Sequence, residues 1–125
     1  GGYLTGKFTG GTDDGAKNSR RAEFDFPPIN KDKADQVVEV MKKIAGDKNV
    51  SVAQIALAWL LHQGAVTSVI IGARTKDQLI DNLESVNIEL TQEELENLDE
   101  VSTLAPEYPG WMFESQGRNR LPEED

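Results

Sequence analysis

One short segment of the sequence carries residue types that suit the binding of a phosphate group. A β-branched run over residues 66–71 leads into a loop that contains Arg74, and Thr75 follows with Gln78 three positions later. The run predicts a strand that ends in a turn, and the Thr75–Gln78 pair predicts a capping box that opens a helix. The N–H groups at the start of a helix favour an anion, to which a guanidinium adds a bidentate contact.

The residues around this loop suggest how the rest of a nucleotide is held. Gln78 and Asn82 are four positions apart, so they share one helix face and offer amide groups to an adenine edge. Gly72 lacks a Cβ, which lets its backbone approach a phosphate closely. Each residue also has a structural alternative: Gln78 as a capping partner, Asn82 as an exposed helix residue, Gly72 as a plain turn and Arg74 as a solvated cation.

Two other patterns do not support a chemical site. Residues 1–7 nearly match a P-loop, but Phe8 replaces the hydroxyl residue that would bind Mg²⁺, and no strand precedes the loop. His62 is the single histidine, so we expect it to cap the end of a helix. No spacing typical of metal ligands appears, and the glutamates at positions 93, 94 and 96 are expected to form a solvated first helical turn.

Composition narrows the class of protein. The 125 residues include 22 acidic and 13 basic side chains, for a net charge of -9, which argues against binding to nucleic acid or to an anionic membrane. There is no cysteine, hence no disulfide framework, and there is no apolar run long enough to cross a membrane. The expected location is the cytoplasm.

Four helices are predicted around the single strand. The first begins at Asp32 and stops at Gly46, and the second covers Val52–Leu61, is apolar almost all round and opens with a capping box. The third follows Thr75, and the fourth follows Thr91 at another capping box. The inward positions are Ala34, Val37, Val38, Met41, Ile44 and Ala45, then Leu79, Ile80 and Leu83, then Leu95, Leu98 and Val101. Because one strand cannot form a sheet alone, we expect the isolated chain to be mostly helical and the strand to pair outside it.

Three segments together resemble the aldo-keto reductase family. Residues 70–83 (IIGARTKDQLIDNL) are similar to the last strand, loop and helix of its barrel. Residues 2–7 (GYLTGK) resemble the loop after the seventh strand, and residues 51–61 (SVAQIALAWLL) resemble the helix between these two segments.

The resemblance implies an α/β fold, as the C-terminal portion of a (β/α)8 TIM barrel, because such a barrel typically needs about 250 residues. Residues 1–125 are then one part of a single barrel. Within it, residues 1–30 form a loop that covers the cofactor, residues 31–104 form helix and strand units, and residues 105–125 form a C-terminal loop and tail. The sequence is accordingly expected to be a fragment, a cleavage product or one chain of a split protein.

The function implied by the resemblance is NADP(H)-dependent reduction of a small carbonyl substrate to an alcohol. The implied cofactor-binding residues, with Arg74 on the 2′-phosphate, are Leu4, Gly6, Lys7, Gly72, Ala73, Arg74, Gln78 and Asn82. Trp111 and Phe113 are expected to shape the substrate pocket, to form a structural lid or to make a subunit contact. The catalytic Tyr, Lys, Asp and His of the family belong to the other half of the barrel, so no catalytic residue is assigned and the chain alone should not turn over.

Two alternatives remain open at this stage. The parent protein could bind NADP(H) without reducing a substrate, as a sensor or channel-associated subunit, or the chain could be a helical interaction module with vestigial cofactor residues. The expected partner is the N-terminal half of the barrel or another chain.

Overall fold

A computed structural model describes residues 2–8, 28–104 and 112 of the chain, and this part is helical. No strand occurs among these residues. The elements are a 3-10 turn over Tyr3–Thr5, helices α1 (Lys31–Lys48), α2 (Val52–Leu61) and α3 (Lys76–Glu84), a 3-10 turn over Ser85–Asn87, and helix α4 (Gln92–Ser102).

Helix α1 is longer than its sequence pattern predicts. The Asn30 side chain caps its start by accepting the Lys33 N–H at 3.0 Å. The predicted stop at Gly46 is wrong, since that residue lies inside the helix. The helix ends instead at Asn49, whose backbone is left-handed with φ 54° and whose N–H donates to the carbonyls of Ala45 and Gly46. Asparagine tolerates this conformation better than other non-glycine residues do, which explains why it can end the helix.

Helices α2 and α4 begin at the two capping boxes that the sequence predicts. The Ser51 hydroxyl accepts the Gln54 N–H at 3.1 Å, and the Gln54 side-chain oxygen accepts the Ser51 N–H at 3.0 Å. The Thr91 hydroxyl and the Glu94 carboxylate make the same pair of bonds, at 3.2 Å and 2.7 Å. Each box satisfies two N–H groups that lack a partner within the helix, so both predictions are confirmed.

The hydrophobic core lies between α1, α2 and α4. It also includes Leu90, from the segment that joins the second 3-10 turn to α4. The inward face predicted for α1 is confirmed, except that Ala34 is only half-buried. On α4 Leu98 is buried, whereas Leu95 and Val101 are half-buried and pack against the core. The largest side chains with almost no exposure are Met41, Ile55, Leu98 and Val38.

Helix α3 and the segment before it depart from prediction. Leu79, Ile80 and Leu83 should be buried, but they are 43%, 45% and 54% exposed, and α3 has no buried residue. Residues 66–71 form no strand, and Ile70 is 99% exposed. Both expectations are wrong for the same reason: a strand needs a hydrogen-bonded neighbour and an apolar helix face needs a covering layer, and the described residues provide neither here.

In the part of the chain that the structure describes, no helix combines the length and the apolar character required to cross a membrane.

Candidate functional site

The loop at residues 72–74 is held by side chains of α3. The Gln78 side-chain oxygen accepts the Arg74 backbone N–H at 2.9 Å, and the Asn82 amide donates to the Gly72 carbonyl at 3.4 Å. The Thr75 hydroxyl caps the helix by accepting the Gln78 N–H at 3.2 Å. The structure therefore brings Gly72, Arg74, Gln78 and Asn82 together, as the sequence predicts.

The capping box expected at Thr75 is only half formed. In a full box the Gln78 side chain would accept the N–H of Thr75 itself. It reaches one residue further back, to Arg74, so that it restrains the loop instead of closing the box. Ala73 and Arg74 are both exposed, so the Arg74 guanidinium can approach an anion beside a helix N-terminus without first being uncovered.

The N-terminal segment, residues 2–8, packs on α1 and α2. The Tyr3 hydroxyl donates to the Asp35 carboxylate of α1 at 2.8 Å, and the Tyr3 ring stacks on Phe8 with centroids 5.3 Å apart. The Lys7 ammonium lies 5.3 Å from the centroid of the Phe8 ring. Lys7 and Leu4 are both exposed.

Gly6 lies against α1 and α2 in a backbone conformation that favours glycine. Its φ is +78°, a conformation that side chains other than glycine's rarely adopt. A Cβ built there would lie 3.6 Å from Val38 and 3.8 Å from Val52, so the backbone of Gly6 lies directly over the start of α2.

The first turn of α2 joins the two predicted cofactor segments. Val52 lies beneath Gly6 on one side. On the other side the Ser51 hydroxyl donates to the Asp81 carboxylate of α3 at 2.8 Å, and the Gln54 amide donates to the Asp81 carbonyl at 2.9 Å. The N-terminal segment and α3 are thus anchored on the same turn of one helix.

The sequence does not predict this bridge, because the capping box at the start of α2 already accounts for a glutamine at position 54. The available signal was a long polar side chain within an otherwise apolar helix. Gln54 is 4% exposed, and a buried amide needs partners for its N–H groups as well as for its oxygen.

The start of α4 carries three glutamates and lies outside the loop at residues 72–74. Glu94 is half-buried and paired with Lys48 at 3.1 Å, so the expectation of a wholly solvated first turn is wrong for it, while Glu93 and Glu96 are exposed. Burial raises the pKa of Glu94, but the hydrogen bond from the Thr91 N–H and the charge of Lys48 together lower it by more. The pKa of Glu94 therefore lies below its ordinary value.

His62 caps the C-terminal end of α2, as predicted. Its Nδ1 lies 2.8 Å from the Ala58 carbonyl oxygen, which can only accept, so the Nδ1 carries the proton. Across the described ranges no cluster of three acidic or histidine side chains could hold a metal ion.

A groove of about 1000 Å³ lies between α1 and α4 and includes none of the predicted site residues. It is open to solvent, and side chains of both charges line it, among them Asp32, Lys33, Lys43, Asp47, Glu93 and Glu100. The groove therefore has no direct connection with the loop at residues 72–74. Trp111 and Phe113, expected near the substrate, lie outside the described residues.

Comparison with known proteins connects this arrangement to a family. The model described as "Aldo/keto reductase family" matches residues 1–103. A protein of Schizosaccharomyces pombe, whose printed name is "Putative voltage-gated potassium channel subunit beta", is 33% identical over 111 residues, which are 84% of this chain and 32% of that protein.

Two bacterial relatives match similar fractions of this chain. Protein tas of Escherichia coli is 34% identical over 101 residues, which are 80% of this chain and 29% of the relative. L-glyceraldehyde 3-phosphate reductase of Escherichia coli is 30% identical over 103 residues, which are 79% of this chain and 30% of the relative. The chain thus spans about 30% of the length of the curated relatives that it matches.

Proposed function

The chain belongs to the aldo/keto reductase family, a family of TIM-barrel oxidoreductases, and from that premise we propose that it is the C-terminal, cofactor-binding part of an NADP(H)-dependent reductase. The observation that carries this proposal is the restrained loop at residues 72–74. It presents the exposed Arg74 beside the start of α3, while Gln78 and Asn82 hold the loop backbone.

The 2′-phosphate of NADP(H) is the group that suits Arg74. A phosphate monoester accepts two parallel N–H bonds from a guanidinium and is further favoured by the helix N-terminus. NAD(H) has a ribose hydroxyl at that position and gains neither contribution. Gln78 keeps its amide N–H groups, and Asn82 its amide oxygen, for the edge of the adenine ring.

The other site residues are assigned to the rest of the cofactor. Gly72 and Ala73 supply backbone beside the phosphate, and the segment with Leu4, Gly6 and Lys7 covers the pyrophosphate and nicotinamide end. The bound cofactor supplies the hydride that goes to the carbonyl carbon, and a tyrosine outside this chain supplies the proton to the oxygen. This chain therefore contributes to the affinity and the orientation of the cofactor, and the substrate is proposed to be a small carbonyl compound.

The partner that completes the site is the remainder of the barrel. Leu79, Ile80 and Leu83 on α3 and the isolated Ile70 expose apolar surface that a soluble protein normally covers. About 70% of the length of these curated relatives lies outside the part that matches, which is enough polypeptide for the missing strands and helices. In the absence of this partner the chain is proposed to be inactive.

Replacement of Arg74 by alanine tests the cofactor assignment. We expect the affinity for NADPH to fall by about 1.5–3 kcal/mol, the range for a hydrogen bond to a charged group, and the affinity for NADH to stay the same. Fluorescence titration of both cofactors against the protein at its natural length measures the difference. Lys76→Ala, which removes an exposed cation two residues further along, is the matched control.

Three outcomes would contradict the assignment. An equal loss of affinity for NADPH and NADH excludes recognition of the 2′-phosphate by Arg74. If Lys76→Ala lowers the affinity for NADPH as much as Arg74→Ala does, the loss reflects the removal of a positive charge and not a specific contact of Arg74. A wild-type protein that binds neither cofactor leaves the helical interaction module as the remaining function.

A second candidate is a channel-associated subunit that binds NADP(H) without reducing a substrate; its association with a channel is suggested by the Schizosaccharomyces pombe relative, which is named as a potassium channel subunit. The two functions share the loop at residues 72–74 and differ in turnover. Oxidation of bound NADPH by a panel of aldehydes, followed at 340 nm as its absorbance disappears, separates them, since a reductase consumes NADPH and a sensor only binds it.

A further inference from the structure

We propose that Gln54 is a positioning residue for cofactor binding: it sets the place of α3 on α2 and thereby the place of the loop at residues 72–74. Gln54 does not contact the cofactor in this arrangement. The inference rests on the proposed function, because it concerns how the same site is held.

All of the hydrogen-bonding groups of the Gln54 side chain point at elements of the fold. Its oxygen accepts the Ser51 N–H at 3.0 Å and so closes the capping box of α2. Its amide nitrogen donates to the Asp81 carbonyl at 2.9 Å and to the Glu84 carboxylate at 3.2 Å, both on α3. A side chain that is 4% exposed and fully bonded has little freedom to move, so it can fix the distance between the two helices.

The bond to Asp81 has a specific structural consequence. Asp81 is one of the last four residues of α3, whose carbonyls have no regular partner within the helix. The backbone N–H of Ser85 donates to the carbonyls of Asn82 and Leu83, so it does not serve Asp81. Gln54 supplies the missing donor.

Polar contacts matter more for α3 than for the other helices. No residue of α3 is buried, whereas α1, α2 and α4 each place side chains in the core. The Ser51–Asp81 bond at 2.8 Å and the two Gln54 bonds are therefore the described contacts that fix the register of α3 on α2. Asp81 is followed directly by Asn82, which bonds to the Gly72 carbonyl, so a displacement of α3 is carried to the loop.

Gln54→Glu separates this role from capping. Glutamate also closes capping boxes, so the acceptor for the Ser51 N–H is retained. The variant loses both amide donations and places a carboxylate against the Asp81 carbonyl and the Glu84 carboxylate. The matched control is Gln63→Glu: the Gln63 amide, at the other end of α2, donates to Asp99 on α4 at 3.3 Å, so the same chemical change is made away from α3.

The test is a double-mutant cycle between Gln54→Glu and Arg74→Ala, measured as NADPH affinity by titration of the protein at its natural length. We expect Gln54→Glu to raise the Kd for NADPH about fivefold to twentyfold in the wild-type background and only about twofold to threefold in the Arg74→Ala background, where the contacts of Gln78 and Asn82 still depend on the place of α3. Gln63→Glu should change the Kd less than about twofold in both backgrounds. A merely structural loss would weaken binding equally in the two backgrounds, and that result overturns the proposal.

A swapped pair keeps the test valid if Gln54→Glu alone fails to fold. Combining it with Glu84→Gln reverses donor and acceptor, so that one bridge between α2 and α3 is restored. We expect the double variant to fold and to bind NADPH within about threefold of wild type. A folded double variant with affinity as low as that of Arg74→Ala overturns the proposal. The Arg74→Ala measurement distinguishes failure of the proposed function from failure of this inference. If Arg74→Ala weakens NADPH and NADH binding equally, the proposed function fails. If it weakens only NADPH binding but shows no coupling to Gln54→Glu, the proposed function stands and the positioning role of Gln54 is refuted.

Discussion

Truncation of Leu83 provides a test of whether a partner covers α3. Leu83 is 54% exposed on a helix that has no buried residue. Leu83→Ala in the 125-residue chain therefore removes a half-exposed side chain and encloses no cavity. Full burial of a leucine side chain contributes about 1.5–3 kcal/mol, so the loss of this half-buried one should be about 0.7–1.5 kcal/mol.

The same substitution should cost much more where the rest of the barrel is present. A covered Leu83 would leave a cavity when truncated, and buried leucine-to-alanine changes cost about 2–5 kcal/mol. Leu98 is the matched control, because it is 1% exposed in the core between α1, α2 and α4. Leu98→Ala should cost about 2–5 kcal/mol in the chain and in the longer protein alike.

Urea unfolding followed by circular dichroism gives these free energies in both proteins. The reasoning is refuted if Leu83→Ala costs the same, within about 0.5 kcal/mol, in the chain and in the longer protein, since α3 is then not covered. If Leu98→Ala costs as little as Leu83→Ala in the 125-residue chain, the core described above is not formed by the chain alone.

Two further predictions concern the elements that support the site. The pKa of Glu94 is lower in the folded chain than its ordinary value of 4.5. Its ion pair with Lys48 should therefore stabilise the fold fully at a pH above 4.5. This stabilisation should be lost as the pH falls through the lower pKa of the folded chain. Unfolding of wild type and Glu94→Gln across pH 3 to 7 should show a difference that vanishes toward the acid end, and a difference that stays constant would contradict the assignment. Asn49→Ala should lower the free energy of unfolding by about 1 kcal/mol, because alanine tolerates the left-handed conformation at φ 54° poorly. Asn49→Gly should not lower it, since glycine adopts this conformation readily. Equal thermal midpoints for the two variants would show that the left-handed backbone at the end of α1 does not affect stability.

Local signals in the sequence predicted the helix starts well. At Ser51 and Thr91 the capping bonds join groups three residues apart, so the pattern that predicts them also contains both partners. The end of α1 was not predictable in the same way. Gly46 and Asn49 both suit a helix end, and the left-handed backbone at Asn49, which decides between them, depends on packing after the last turn.

The burial of α3 could not be predicted because periodicity reveals an apolar face without revealing what covers it. Ile80 and Leu83 are three positions apart, like Leu95 and Leu98 of α4, yet of these two helices only α4 places a side chain in the core with α1. For residues 66–71 the β-branched composition favours a strand, but a strand exists only with a neighbour to complete its hydrogen bonds. The role of Gln54 could not be predicted for another reason: its hydrogen bond to Asp81 joins residues 27 positions apart, and a local sequence pattern contains only one of the two partners.

The range of the contacts separates two levels of organisation in the candidate site. The bonds that shape the loop, from Gln78 to Arg74 and from Asn82 to Gly72, span four and ten positions, so residues 72–82 contain what is needed to form it. The bonds that orient this unit are long-range, through Gln54, and the apolar face of α3 is uncovered. Loss of the covering partner should therefore leave the loop formed and leave α3 held on α2 by the bonds from Ser51 and Gln54, so cofactor affinity should depend on Gln54 most strongly in that condition.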